Sequence, residues 1–346
     1  MAKIKVGIIN VTGYAGVELA RLLSQHPEVE LTSVTGRSAA GQGLGMVFPH
    51  LAGLEMDIEA KLGEVELAFS AMPHKESAQE VITLLNNGVR VIDISADFRL
   101  KDAAEYPSWY GFTHPSPERL QQAVYGLPEL YRAQIAATQL VANPGCYPTG
   151  AILALAPAIK SGLTKADIVI DSKSGLSGAG RTLSLTTHFS EANDNTAAYA
   201  LDGHRHLPEI IQELQNLSTA QPVSITFVPH LLPMTRGILT TAYSLLAPGK
   251  LAADDKGKQE LKQIYLDFYK DEPFVRIVDT PPHTKHTWGN NFCLIHPTID
   301  QRTGRLIVIS TIDNLVKGAA GNAIQNMNLM LGLPETTGLK APAVYP

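Results

Sequence analysis

At 346 residues, with 45% apolar and 18% charged side chains, the chain can bury a sizeable core, which excludes disorder and makes two domains the expectation. A net charge of −5 and a pI near 6.1 exclude a broadly basic surface built for nucleic-acid phosphates or anionic lipid. The 2 cysteines, Cys146 and Cys293, are too few for a disulfide framework or a cysteine-based metal site, so no metal is expected.

The chain enters a strand pattern at once, Ile4–Ile9, with no apolar leader before it and no window long enough to span a membrane, so a cytoplasmic protein is expected. Short β-rich runs then alternate with helical stretches: a helix near Tyr14–Ser24, strands at Glu30–Val34 and Leu67–Phe69, a helix near Glu76–Asn87, and a strand at Val89–Ile92. That alternation predicts a parallel βαβ arrangement. Between Leu100 and Ile135 periodicity is poor and an excursion is expected, followed by a return strand, Gln139–Ala142, and a turn at Asn143-Pro144-Gly145. Past Cys146, an apolar stretch at Ala151–Ile159 and a strand at Ala166–Lys173 begin a second domain. Further β-rich runs at Val223–Val228, Ile238–Leu246, Phe292–Ile295 and Leu306–Thr311, with an amphipathic helix at Asp255–Tyr269, predict a mixed sheet carrying helices. The helical spacing of Asn314–Leu331 suggests a segment that returns to the first domain.

The loop from Gly7 to Gly16 joins the first strand to the first helix. Its glycines, with Gly13-Tyr14-Ala15-Gly16 opening the helix, would let backbone amides face a pyrophosphate. The spacing differs from Gly-x-Gly-x-x-Gly, and a tight structural turn is the alternative. At the end of the next strand, where an NAD-binding protein commonly places an acid, stands Thr35-Gly36-Arg37-Ser38. A cation there favours a 2′-phosphate, so Arg37 and Ser38 point to NADP(H).

Cys146 follows a strand and stands at the expected start of a helix, where the helix N-terminus favours a thiolate. Cys293, between Phe292 and Leu294, reads as a buried, inert side chain. Of 11 histidines, two fall in Gly203-His204-Arg205-His206-Leu207-Pro208-Glu209, just before a helix. His206 is the candidate acid/base partner, His204 the alternative, and a surface cap is the bland reading of either. Two arginine-bearing segments, Ser174 to Arg181 and Pro229 to Gly237 with Arg236, are suited to phosphate or carboxylate, or are solvated loops.

Taken together these segments resemble the N-acetyl-gamma-glutamyl-phosphate reductases of arginine biosynthesis, in the aspartate-semialdehyde dehydrogenase superfamily. The resemblance spans nearly the whole chain. It is carried by Gly13-Tyr14-Ala15-Gly16-Val17-Glu18-Leu19, Met72-Pro73-His74, Asp93 to Arg99, Tyr125 to Glu129, and Asn143-Pro144-Gly145-Cys146-Tyr147-Pro148-Thr149. It continues through Ser174 to Arg181, His204 to Ile210, and Asp313 to Ala323. The resemblance implies a Rossmann domain built from both ends of the chain, with boundaries at 1–147 and 313–346, and a central α/β catalytic and oligomerisation domain at 148–312 with a mixed sheet. It implies Cys146 as nucleophile and His206 as acid/base. Pro73, Ser177, Gly178 and Asn314 join the cofactor residues, and Asn143, Arg181, Arg205 and Arg236 the substrate residues, with Arg99 a further candidate for the substrate carboxylate. A homodimer or homotetramer is also implied. Asn10-Val11 stands where small residues are usual, and Asn322 where glutamine is frequent.

The reaction so implied has Cys146 attack an acyl phosphate, expel phosphate, and present a thioester to NADPH, which releases a semialdehyde. Gly145–Tyr147 amides would help hold the oxyanion. The nearest rival is the aminoadipate-type reductase of lysine biosynthesis, whose substrate is one methylene longer. Aspartate-semialdehyde dehydrogenase is less favoured by the His204–Glu209 and Pro229–Gly237 segments. From other classes, a thiol hydrolase and a non-catalytic NADP-binding sensor remain open.

Overall fold

The computed structural model describes residues 3–218 and 222–346. The chain divides into two compact units, Met1–Gly145 with Ala319–Ala341, and Cys146–Gly318 with Pro342–Pro346. The crossing from the first unit to the second falls at Cys146, where a helix starts, and the return falls at Ala319, after Asp313–Gly318. The last residues belong to the second unit, where the Val344 amide donates to the Trp288 carbonyl at 2.9 Å.

The strands, in chain order, are β1 (Ile4–Ile9), β2 (Val29–Thr35), β3 (Ile58–Glu59), β4 (Leu67–Ser70), β5 (Arg90–Asp93), β6 (Val124–Tyr125) and β7 (Leu140–Ala142) in the first unit. They form a 7-stranded sheet in the order β3-β2-β1-β4-β5-β7-β6, parallel throughout. β1 lies near the middle of the order, and Val6–Ile9 is buried, as a parallel strand covered on both faces requires. The helix Tyr14–Leu23 buries Leu19 and Leu23 one turn apart, each burial contributing about 1.5–3 kcal/mol. The poorly periodic stretch after Leu100 holds the short helices Tyr106–Tyr110 and Pro117–Gln122, the two-residue β6, and the helix Pro128–Ala137. β3 and β6 escaped the sequence reading because two residues show no alternation.

At the end of β5, burial and then the neighbouring Asp97 charge push the Asp93 carboxyl up to about 6. Ser77 and Ser95 hydroxyls donate to it at 2.6 and 2.7 Å, and Asp97 accepts the Lys75 and Ala78 amides. These bonds fix the entry to the helix Ser77–Asn86.

The second unit holds β8 (Thr164–Gly175), β9 (Ala197–Ala198), β10 (Ser224–Leu232), β11 (Ile238–Leu246), β12 (Val275–Ile277), β13 (Cys293–Asp300) and β14 (Arg305–Ile312). Their order is β12-β13-β14-β11-β8-β10-β9, with parallel pairs only at β12/β13 and β8/β10. The helix Cys146–Lys160 is buried continuously from Tyr147 to Ile159, so its apolar surround is a matter of position and not of one amphipathic face. Pro157 inside it has no N–H to give the carbonyl of Leu153. The Tyr269 hydroxyl takes that carbonyl at 2.6 Å, and Tyr265 takes the next, Ala154, at 2.8 Å. Both tyrosines come from the end of the helix Asp255–Phe268 or the residue after it. Tyr269→Phe leaves the Leu153 carbonyl buried without its donor and is expected to cost about 1–3 kcal/mol. Urea unfolding checks this, and an unchanged midpoint would contradict it.

Candidate active site

In the first unit, Gly13 caps the helix Tyr14–Leu23 with extended backbone and no side chain over the first-turn amides of Tyr14, Ala15 and Gly16. Those amides are open to an anion, as a helix N-terminus is. A Cβ at Gly16 would stand 2.5 Å from the Asn10 carbonyl oxygen and 2.7 Å from Val11 Cα, so only glycine permits this approach of helix to loop. Asn10 takes a left-handed φ of 65°, a conformation asparagine tolerates. Its carboxamide closes the loop, Nδ2 donating to the Ala71 carbonyl at 2.8 Å and Oδ1 accepting from Thr12 at 3.1 Å. The unusual residue of the loop is thus what shapes it.

Beside this loop lies a cleft of about 240 Å³, lined among others by Asn10, Thr35, Arg37, Lys61, Met72 and Pro73. Arg37 and Ser38 are exposed just past β2, and Arg37 forms an ion pair with Glu76. Lys61 is a second cation on the cleft wall, which sequence reading missed because no motif surrounds it.

In the second unit Cys146 is the first residue of its helix and is half-buried, whereas Cys293 on β13 is fully buried. A Cβ on Gly318 would meet Cys146 Cβ at 2.9 Å, so the backbone of the π-helical turn Val316–Ala320 presses against the cysteine. Aromatic and imidazole rings gather around the next residue, Tyr147. Tyr147 packs on His204 and His206 with centroids 5.6 and 6.0 Å apart, and the two imidazoles lie 4.8 Å apart. The Tyr199 hydroxyl donates to Tyr147 at 3.2 Å and lies 3.4 Å from His204 Nε2. Burial is the first cause raising the Tyr147 and Tyr199 hydroxyls, Tyr199 to about 12, and the nearby Cys146 charge adds to both. Neither tyrosine was singled out as a functional residue by the sequence, since their approach to the imidazoles depends on the turn of chain before β10.

His204 and His206 are separated by their surroundings. His204 Nδ1 accepts the His206 amide at 3.1 Å, so its proton sits on Nε2, toward Tyr199. Burial, then the Arg205 charge, lowers His204 to about 4, so it is neutral at pH 7. His206 is buried at the N-cap of the helix Leu207–Leu217.

The structure turns several expected contact residues inward. Asn143 is fully buried: Oδ1 accepts from Asn322 and Asn326 at 3.0 and 3.1 Å, and Nδ2 donates to the Ala319 carbonyl at 3.2 Å. Asn314 is 2% exposed, accepting the Gly237 amide at 2.8 Å and donating to Ser177 Oγ at 2.9 Å. Ser177 is buried with it, and a Cβ on Gly178 would lie 3.0 Å from Ser174 Oγ, so this loop is packed by its own residues. Arg99 is buried and donates to the Asn143 and Ile94 carbonyls at 2.9 and 2.7 Å, which removes it from the candidates for the substrate carboxylate. Arg236 lies 3.4 Å from the buried Asp313 carboxylate, while Arg181 and Arg205 are exposed.

A cysteine at the head of a buried helix, with imidazoles and a second tyrosine packed around the next residue, Tyr147, in a chain that also carries a Rossmann-type sheet, defines a dehydrogenase of the semialdehyde class. Residues 5–138 match the family described as "Semialdehyde dehydrogenase, NAD binding domain", and residues 146–314 "Semialdehyde dehydrogenase, dimerisation domain". Over all of both chains the sequence is 59% identical to the N-acetyl-gamma-glutamyl-phosphate reductase of Dehalococcoides mccartyi. It is 50% identical to that of Pelotomaculum thermopropionicum, over 99% of each. The chain belongs to the N-acetyl-gamma-glutamyl-phosphate reductases. In fold it is similar to aspartate semialdehyde dehydrogenase II from Vibrio cholerae, with TM-score 0.69 and 17% identity over 96% of this chain and 99% of that one. It is likewise similar to aspartate semialdehyde dehydrogenase with NADP from Candida albicans, with TM-score 0.69 and 14% identity over 95% and 99%.

The lowered His204 has a consequence for stability. Between pH 6.5 and about 4 the unfolded chain takes up a proton at residue 204 that the folded chain refuses, so this contribution is full above pH 6.5 and is lost as pH falls. His204→Asn, whose Oδ1 can still accept the His206 amide, is expected to lose up to about 3 kcal/mol less than wild type across that window. Urea unfolding at pH 7 and pH 4.5 measures the difference; parallel losses in the two proteins would contradict it.

Proposed function

We propose that the protein reduces N-acetyl-gamma-glutamyl phosphate with NADPH to N-acetylglutamate 5-semialdehyde and phosphate. The observation that carries this is Cys146 at the start of a buried helix whose next residue, Tyr147, packs on His206, in a chain 59% identical to a reductase of that name. Where the thiolate attacks, the helix N-terminus favours its charge and the amides near Tyr147 support the oxyanion of the tetrahedral intermediate. Phosphate leaves, giving a thioester that accepts hydride more readily than a carboxylate would. NADPH, when bound, supplies the hydride. His206 protonates the oxyanion left by hydride transfer, giving the thiohemiacetal, and then takes that proton back as the C–S bond breaks and releases the semialdehyde and the Cys146 thiolate. His204 stays neutral and orients the Tyr199 hydroxyl.

The residues of the cleft fit NADP(H). First-turn amides of Tyr14–Gly16 suit the pyrophosphate, and Arg37, Ser38 and Lys61 suit a 2′-phosphate, with Pro73 on the wall. The inward bonds of Asn314 and Asn143 support a positioning role for both, and those of Ser177 and Gly178 a packed loop beneath the site. Arg181, Arg205 and Arg236 carry the planar guanidinium that suits the substrate's phosphate and carboxylate. No helix among the described residues is long and apolar enough to cross a membrane, and a cytoplasmic biosynthetic role suits a small charged substrate. Cys146→Ser is expected to abolish turnover while NADP(H) affinity stays within about twofold, and wild type incubated with acyl phosphate alone should carry an acyl mass adduct on Cys146. An active serine variant would refute the thioester.

We also propose a homodimer or homotetramer through the open face of the mixed sheet. Across its strands runs the row Thr298, Ile307, Tyr243 and Val169, with Ile309 and Thr241 in the next row. Ile307, Tyr243, Val169 and Ile309 are only half-buried, and β-branched and aromatic side chains in contiguous rows are what a second copy would cover. Tyr243→Lys is expected to shift the protein toward a 37.3 kDa monomer in light scattering, and an unchanged oligomer mass would exclude this face.

A further inference from the structure

The helix Gly321–Met330 buries Asn322, Gln325, Asn326 and Asn328, each at 0% exposure. An apolar residue would pack such a site without desolvating a carboxamide, so each amide needs a target. Asn328 ties the following chain, donating to the Glu335 and Thr337 carbonyls and meeting His26. Asn322 and Asn326, one turn apart, reach the same two oxygens instead. Asn322 Nδ2 donates to the Gly126 carbonyl at 2.6 Å and to Asn143 Oδ1 at 3.0 Å; Asn326 Nδ2 donates to them at 2.9 and 3.1 Å.

That geometry uses both N–H groups of Asn326 and leaves its Oδ1 buried without a hydrogen-bond partner. A core formed only for stability has no use for such an orphan, whereas a group that must present its N–H pair in one direction accepts it. A Cβ on Gly126 would lie 2.6 Å from Asn326 Nδ2, so the loop opposite is kept bare for the amide. Asn143 is gripped at every polar atom. Its amide donates to the Asp93 carbonyl at 2.8 Å, its carbonyl accepts from Arg99, and its Nδ2 donates to Ala319. Only Pro144 and Gly145 separate it from Cys146.

We propose that Asn322 and Asn326 are positioning residues for the nucleophile, which through the Asn143 carboxamide fix the backbone from which the helix and Cys146 begin. The inference rests on the thioester reading. It places a determinant of thiol reactivity far along the chain, where neither side chain touches substrate. Asn322 differs from the glutamine that the family resemblance leads one to expect, and Asn326 supplies the second pair of donors to the same oxygens.

The test removes donors and keeps volume. Asn322→Leu and Asn326→Leu are made singly, with Asn322→Gln as the variant that keeps a donor. Three readings are taken: the thermal melt, the pH profile of Cys146 labelling by iodoacetamide, and the rate of acyl-adduct formation with acyl phosphate in the absence of NADPH. Each leucine variant is expected to melt cooperatively and bind NADP(H) as wild type does. Each should acylate about tenfold or more slower, because sub-ångström to ångström displacement of a reacting atom carries that cost. The labelling midpoint should move to higher pH as the thiolate loses its place at the helix terminus. Asn322→Gln should recover most of the rate. Leucine variants that label and acylate like wild type would overturn the inference, whatever their melting temperature. If a leucine variant does not fold, Asn322→Gln decides by the same measure: a glutamine variant as slow as unfolded protein overturns the donor argument. Should wild type itself form no adduct, the thioester reading fails, while the iodoacetamide profile, which needs no substrate, still tests the positioning.

Discussion

Cys146 sits at the junction where a parallel strand, β7, ends and a buried helix begins, and the position of that one backbone joint governs the rest. A thiolate needs a positive environment, and the start of a helix supplies one. The supply works only while the helix keeps its place. From Tyr147 onward the helix is enclosed by apolar side chains, and where Pro157 frees a carbonyl a tyrosine hydroxyl takes it. On the strand side, Asn143 is bonded by Asp93, Arg99, Ala319, Asn322 and Asn326. The backbone of Cys146 is therefore fixed by the elements on either side of it in the chain, a common requirement of preorganised sites.

The imidazole cluster divides its labour by environment. His204 and His206 are two residues apart, similarly buried, and 4.8 Å between ring centroids, yet one accepts a backbone amide and is lowered to about 4 by burial and Arg205. Identical side chains acquire different protonation behaviour from the bonds and charges around them.

Much of this was legible in the residues. The βαβ alternation, the loop at Gly13–Gly16, the arginine after β2 and the cysteine after a strand each carry a local physical signature, and all stand where that signature placed them. Contacts made by distant residues were not legible. Asn143 and Asn314 lie in motifs that invite a ligand, but their carboxamides turn inward because Asn322, Asn326, Ser177 and Gly237 arrive from elsewhere in the chain. Arg99 looked available for a carboxylate and is instead bound to two backbone carbonyls. Tyr199 and Lys61 have no local pattern at all and become visible only once strands and loops bring them to their sites.

The central claim is that a thiol at Cys146 links phosphate, acyl carbon and nicotinamide in one reaction, and running that reaction backwards tests it most directly. Purified protein would be given N-acetylglutamate 5-semialdehyde, NADP and phosphate, with absorbance of NADPH followed against omission of phosphate and against the aspartate and aminoadipate semialdehydes. The account predicts NADPH formation that requires phosphate and is fastest with the acetylated glutamate aldehyde. Preference for the aminoadipate aldehyde would reassign the substrate, and folded, NADP-binding protein that reduces no nicotinamide with any aldehyde would contradict the account.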